Sequence, residues 1–254
     1  MTDTRKIEID KIQSIQYSFP YHYLPNSEGF PNFAKTWSFS ASYIAAIRLF
    51  FKWFNDEKKS DGVHRHMDYG CGDGGFLHHI SALDTYENIE FWGIDFDEKA
   101  LGWANQFFGG GNFICGNIAD LPSSNYDSGS LVEVYEHIPP SECPRFLSSI
   151  SDSLKSGAPL FVTVPSVQNP TSAKHYRHFD FETLIEEFGE FFVVEEIFGF
   201  ERNSFISKML LRLLYTRWWY VETRFTSRLL IKTLETKFAS IVGCGRIGLL
   251  LRNK

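Results

Sequence analysis

The chain has 254 residues, 43% hydrophobic and 22% charged, which is long enough to bury a full core and too apolar for a disordered chain. Its net charge of −6 hides an asymmetry: residues 202–254 hold 11 Lys/Arg against two acids, Glu222 and Glu235, while residues 1–201 hold 14 against 29. An acidic body disfavours nucleic acid as a general partner, whereas the basic C-terminal segment suits a surface bearing phosphates.

Residues 1–36 mix turn formers with rings, as in Tyr17-Ser18-Phe19-Pro20-Tyr21-His22-Tyr23-Leu24-Pro25, and read as an ordered aromatic arm. From Ser38 to Phe54, Ile44, Ile47, Phe51 and Phe54 recur at three and four residues, which predicts an amphipathic helix. Strands and helices then alternate. Strands are expected at Val63–Tyr69, Ile89–Asp95, Asn112–Cys115, Ser130–Val134, Leu160–Val164 and Phe191–Phe200, and helices at Gly75–Leu83, Glu98–Phe107, Pro144–Leu154 and Phe181–Phe188. Such alternation predicts parallel βαβ units in a doubly wound sheet. A last strand, Gly245–Arg252, follows a basic and aromatic stretch, Ser204–Val242, too long for a plain loop and expected to form a helical hairpin. The polar start Met1–Lys6 is unlike a secretory signal, no apolar run reaches spanning length, and Cys71, Cys115, Cys143 and Cys244 show no C-x-x-C spacing. A cytoplasmic protein is expected, peripheral at most on the inner face of the membrane.

Gly70-Cys71-Gly72-Asp73-Gly74-Gly75 stands where a strand ends and a helix begins, a place where backbone approaches a ligand. Gly70, Gly72 and Gly75 satisfy the dinucleotide pattern G-x-G-x-x-G, and Asp95 ends the next strand. Asp68 and Asp73, however, put two carboxylates where a pyrophosphate would lie, which favours a cationic ligand without phosphate. S-adenosylmethionine, with its ammonium and sulfonium, is such a ligand.

Here the sequence resembles the class I methyltransferases, whose signature D-x-G-x-G-x-G matches Asp68, Gly70, Gly72 and Gly74, with Cys71 between them. The resemblance continues through Phe91–Asp97, Gly116–Pro122, Tyr126-Asp127, Glu136–Pro139 and Leu154–Gly157. It implies that Asp95 holds the ribose hydroxyls, that Phe96 covers the adenine, and that Asn117 and Ile118 line the adenine end. Asn117 stands where the family usually has Asp, and its carbonyl still accepts from the adenine amine. The fold implied is a seven-stranded, mostly parallel Rossmann-like sheet with an antiparallel last strand.

Glu133, Glu136 and His137 end the fourth predicted strand, spaced so that one helical turn brings them together. Two carboxylates and an imidazole suit a divalent ion such as Mg or Mn, and without metal His137, with Glu136, would take the acceptor's proton. A blander reading has Glu133 helping to hold the cofactor while Glu136 and His137 cap a turn. The E-x-x-E-H pattern resembles the ubiquinone-pathway O-methyltransferases and the small-RNA 2′-O-methyltransferases, whose fourth metal ligand is a later histidine, here His175 or His178. Val164-Pro165-Ser166 and His175-Tyr176-Arg177-His178-Phe179 also resemble enzymes of bacterial surface-polysaccharide and lipid-linked sugar pathways.

These readings converge on a single domain: an N-terminal cap over 1–60, a cofactor-binding core over 61–202, a basic helical insertion over 203–243 and a last strand over 244–254. The expected reaction is methyl transfer to a sugar or other small-molecule hydroxyl, on a glycan or lipid-linked acceptor, with Tyr21, His22, Trp37 and His178 beside the acceptor. Residues 204–242 are expected either to meet an anionic membrane or to pack on protein, including a homodimer partner. The alternatives are RNA 2′-O-methylation, which the acidic body disfavours, and a scaffold that binds cofactor without turnover.

Overall fold

A computed structural model of the chain describes residues 4–18, 20, 33–57, 62–82, 88–202, 209, 212–213 and 223–254, with the backbone alone at 33–42, 82, 224 and 227. Seven strands form one sheet: β1 (His64–Tyr69), β2 (Ile89–Asp95), β3 (Gly111–Cys115), β4 (Ser128–Val132), β5 (Pro159–Pro165), β6 (Phe192–Arg202) and β7 (Cys244–Asn253). The order is β3-β2-β1-β4-β5-β7-β6, with β7 antiparallel to both neighbours and the other pairs parallel. The α-helices among the described residues are α1 (Thr4–Gln16), α2 (Phe33–Glu57), α3 (Gly75–Ala82), α4 (Glu98–Phe107), α5 (Cys143–Ser153), α6 (Phe181–Gly189) and α7 (Arg224–Glu235).

Local chemistry explains the elements. β5 is buried along its whole length, as the apolar run of a central strand requires. Asp97 caps α4 by accepting from the amides of Lys99 and Ala100, and Asp180 caps α6 by accepting from that of Thr183. On one face of the sheet Tyr135, Leu147, Ile150, Phe179 and Phe188 pack with Met67 of β1, Leu131 of β4 and Ile247, Leu249 and Leu251 of β7. On the other face Phe50, Trp53 and Phe54 of α2 meet Phe76, Leu77 and Ile80 of α3 and Phe161 of β5. Phe50 lies edge-on to His66, Phe76 and Phe161 at centroid distances of 5.2, 5.1 and 5.4 Å. Many of the abundant rings therefore serve the core.

A buried polar ladder joins β1 to β4. Ser130 Oγ donates to Asp68 Oδ1 at 2.6 Å, which leaves it accepting from His66 Nε2 at 3.0 Å. His66 Nδ1 then accepts from Ser128 Oγ at 2.8 Å, and Ser128 accepts from His64 Nε2 at 2.7 Å. Burial holds His66 well below the usual imidazole range, hence neutral, as this ladder needs.

The fold departs from the expected elements in two places. The described part of the N-terminal arm contains a helix, α1, which the irregular spacing of Ile7, Ile9, Ile12 and Ile15 conceals, and only Ile9 of these is buried. β4 runs over Ser128–Val132 rather than Ser130–Val134, because Glu133 turns left-handed at φ 57° and ends the strand. In the basic insertion α7 is described, while most of 203–222, including Trp218 and Trp219, lies outside the described residues.

Candidate functional site

From β1 the chain winds one way to β2 and β3, and from β4 the other way to β5, so a crevice opens at the carboxyl ends of β1 and β4. A cavity of about 480 Å³ lies there, a size suited to a small molecule. Asp68, Gly70, Cys71, Gly72, Asp95, Phe96, Asn117, Ile118 and Glu133 all line it.

The glycine loop is shaped by steric need. Gly70 has φ 75°, and a Cβ there would meet Val134 Cγ2 at 2.6 Å. Gly72 has φ 54°, and a Cβ there would collide with the Tyr17 hydroxyl, which descends on the loop from the end of α1. Asp95 fastens the loop to β2: its carboxylate accepts from Gly72 N and from Asp97 N, each at 2.9 Å. Gly74, expected at the cofactor, does not line the cavity; a Cβ there would press on Ala104 at 3.0 Å and Phe113 at 3.1 Å, so its role is packing against α4.

The carboxyl groups at this end are held toward their neutral forms. Burial, opposed by Ser130 and assisted by the charge of Asp95, pushes Asp68 up to about 7, and burial also raises Asp95. Phe96 stands 60% exposed at the rim, an aromatic face beside Asn117 on the cavity wall. Asn117 Oδ1 accepts from Ala119 N at 3.0 Å and so caps the short turn Ile118–Asp120.

At the other end a 3₁₀ turn, Tyr135–His137, follows β4. Glu136, His137 and His175 bring one ligand atom each to within 4.8 Å of one another. His137 Nδ1 donates to Lys174 O at 2.9 Å, which leaves the Nε2 lone pair to face the cluster. His178 Nδ1 donates to Asn169 O at 3.0 Å, so its Nε2 accepts from His175 Nδ1 at 2.8 Å, and His175 too keeps an Nε2 lone pair. Burial, with the nearby Lys174 charge, pushes His137 down to about 3; burial and His137 do the same to His175. Glu136 is raised by burial and by Glu133, and its Oε2 has no hydrogen-bond partner among the described residues.

The expected quartet is not assembled. Glu133 leaves the cluster because its left-handed backbone directs it to Thr163 Oγ1 at 3.0 Å and Arg246 Nε at 3.0 Å. His178 is engaged by His175 and Asn169 and does not line the cavity, which also removes it from the acceptor wall. Tyr21 and His22, and the side chain of Trp37, lie outside the described residues.

Lys174 and Arg246 line the cavity although no motif in the sequence marks them. Arg246 sits at the start of β7, far along the chain, and bonds both Glu133 and Glu201. α1 also enters the site through Lys6, Asp10, Gln13 and Gln16; Gln16 Oε1 accepts from Lys174 Nζ at 3.3 Å and Glu142 pairs with Lys6 at 2.7 Å.

A family model described as a methyltransferase domain matches residues 37–197. No curated protein matches the sequence significantly. Among solved structures, the chain is similar to a SAM-dependent methyltransferase from Archaeoglobus fulgidus at 18% identity, covering 84% of this chain and 94% of that one with a TM-score of 0.57. It is similar to magnesium protoporphyrin IX methyltransferase from Synechocystis PCC 6803 with bound SAM at 16% identity, 100% and 99% coverage and a TM-score of 0.63. The (4+2)-cyclase SpnF is a further neighbour at 18% identity, 82% and 81% coverage and a TM-score of 0.53, and at these identities likeness shows the fold alone.

Proposed function

Because the chain belongs to the methyltransferase-domain family and is an S-adenosylmethionine-dependent enzyme, we propose that it methylates a hydroxyl oxygen of a sugar or similar small molecule, free or lipid-linked. The observation that carries this reading is the pair of Nε2 lone pairs beside the buried Glu136 carboxyl, at the end of β4. Among the residues lining the cavity, Asp95 and Phe96 would hold the nucleoside end, while Asp68 and the Gly70–Gly72 loop would face the cationic methionine end.

The acceptor oxygen attacks the methyl carbon as the carbon–sulfur bond breaks, and its proton passes to the cluster. His137, held neutral by burial, has an open lone pair for it. Glu136 Oε1 lies 3.9 Å from His137 Nε2, beside the nitrogen that takes the proton. The same three donors, one carboxylate and two neutral imidazoles, fit a small divalent ion, which would lower the pKa of the acceptor hydroxyl.

The test is transfer of labelled methyl from S-adenosylmethionine to sugar, lipid-linked sugar, amine and RNA acceptors. Label on a sugar hydroxyl supports the reading; label only on nitrogen or RNA, or cofactor binding without turnover, overturns it. Loss of turnover in EDTA with recovery in Mg or Mn assigns a metal. Indifference to EDTA together with an inactive His137→Ala assigns proton transfer.

A further inference from the structure

The chain leaves the sheet after Arg202 and returns at Cys244, at the carboxyl edge from which the cavity opens. One side of α7 is fastened to the body. Leu230 and Leu234 are buried, and Glu235 is held by Arg48 at 2.5 Å and Lys52 at 3.4 Å. The opposite side presents Phe225, 74% exposed, and Leu229, 39% exposed, beside the exposed cations Arg228 and Lys232. Glu235 is the one acid in the sequence of residues 223–254, and it points at α2. The outer face of α7 is therefore cationic and apolar together, a combination suited to a lipid headgroup layer rather than to water.

We propose that this outer face docks the enzyme on an anionic phospholipid bilayer, with the carboxyl edge of the sheet held beside the membrane. Charge complementarity selects the occupant: on α7 the exposed cations Arg228 and Lys232 stand without a facing acid among the described residues, since Glu235 is taken by Arg48 and Lys52, while residues 1–201 carry 14 basic against 29 acidic side chains and are repelled by the same surface. Attraction and repulsion together orient the molecule with α7 toward the lipid. Phe225 and Leu229 then enter the interface, where the cations next to them stay among headgroups. Docking of this kind does not depend on which acceptor is methylated.

The full chain is sedimented with vesicles of phosphatidylcholine alone and of phosphatidylcholine containing about one-third phosphatidylglycerol. Binding to the anionic vesicles only, weakened by salt, is expected. Phe225→Ser/Leu229→Ser and Arg228→Glu/Lys232→Glu are each expected to weaken it about tenfold or more, with S-adenosylmethionine binding unchanged as the control for folding. Absence of wild-type binding, equal binding to neutral vesicles, or double variants that bind like wild type would overturn the proposal. So would a preference for RNA over vesicles, or a wild-type dimer that the apolar double variant splits, which would make the face a subunit interface.

Discussion

Asp95→Ala tests the cofactor site most directly. The carboxylate spans two backbone amides, Gly72 N and Asp97 N, and is 9% exposed, so its loss leaves two inner N–H groups without their acceptor and removes the acceptor proposed for the ribose hydroxyls. Charge-assisted hydrogen bonds of this kind contribute about 1.5–3 kcal/mol each, so affinity for S-adenosylmethionine should fall by about 2–3 kcal/mol, or roughly 30–150-fold. Asp95→Asn keeps an acceptor oxygen and loses the charge, and should fall between. Titration calorimetry with S-adenosylmethionine and S-adenosylhomocysteine measures both, with circular dichroism to establish folding. A folded Asp95→Ala protein that binds within about threefold of wild type would refute the assigned role.

Gly72→Ala places a Cβ against the Tyr17 hydroxyl at a positive φ; about 1–2 kcal/mol of stability and at least about tenfold in affinity should be lost, read by thermal unfolding and calorimetry. Phe96→Ala should weaken cofactor binding about threefold to tenfold with little change in melting temperature if the ring covers the adenine as proposed, since it is 60% exposed and adds little to the core. Asp68 has its pKa raised to about 7 in the fold, so the stability it permits is full below its unfolded value near 4 and is lost as pH rises through 7. Asp68→Asn should therefore gain on wild type in ligand-free melting temperature between about pH 4 and pH 7; a constant difference would remove Asp68 as the titrating group.

Periodicity and local chemistry are short-range properties, and elements governed by them are legible in the sequence. Ile89–Asp95 and Glu98–Phe107 match the observed bounds, one as an apolar strand and the other as a helix opened by its Asp97 cap. Asp68, Gly70, Gly72 and Asp95 are legible for the same reason, since a turn that brings backbone against a ligand needs glycine at fixed positions. α1 is not legible, because it buries Ile9 alone of its isoleucines and shows no apolar stripe of its own, and partners such as Glu142 for Lys6 lie far along the chain. By itself the sequence determined the alternation of strands and helices, the glycine loop and the acidic residues around it. The tertiary structure alone decided which charges meet at the acceptor end: Arg246 draws Glu133 away, and hydrogen bonds to Lys174 O and His178 set the two imidazole lone pairs on Glu136. Those partners are brought together by the sheet order and by the left-handed turn at Glu133, and neither is written in the spacing of neighbouring residues.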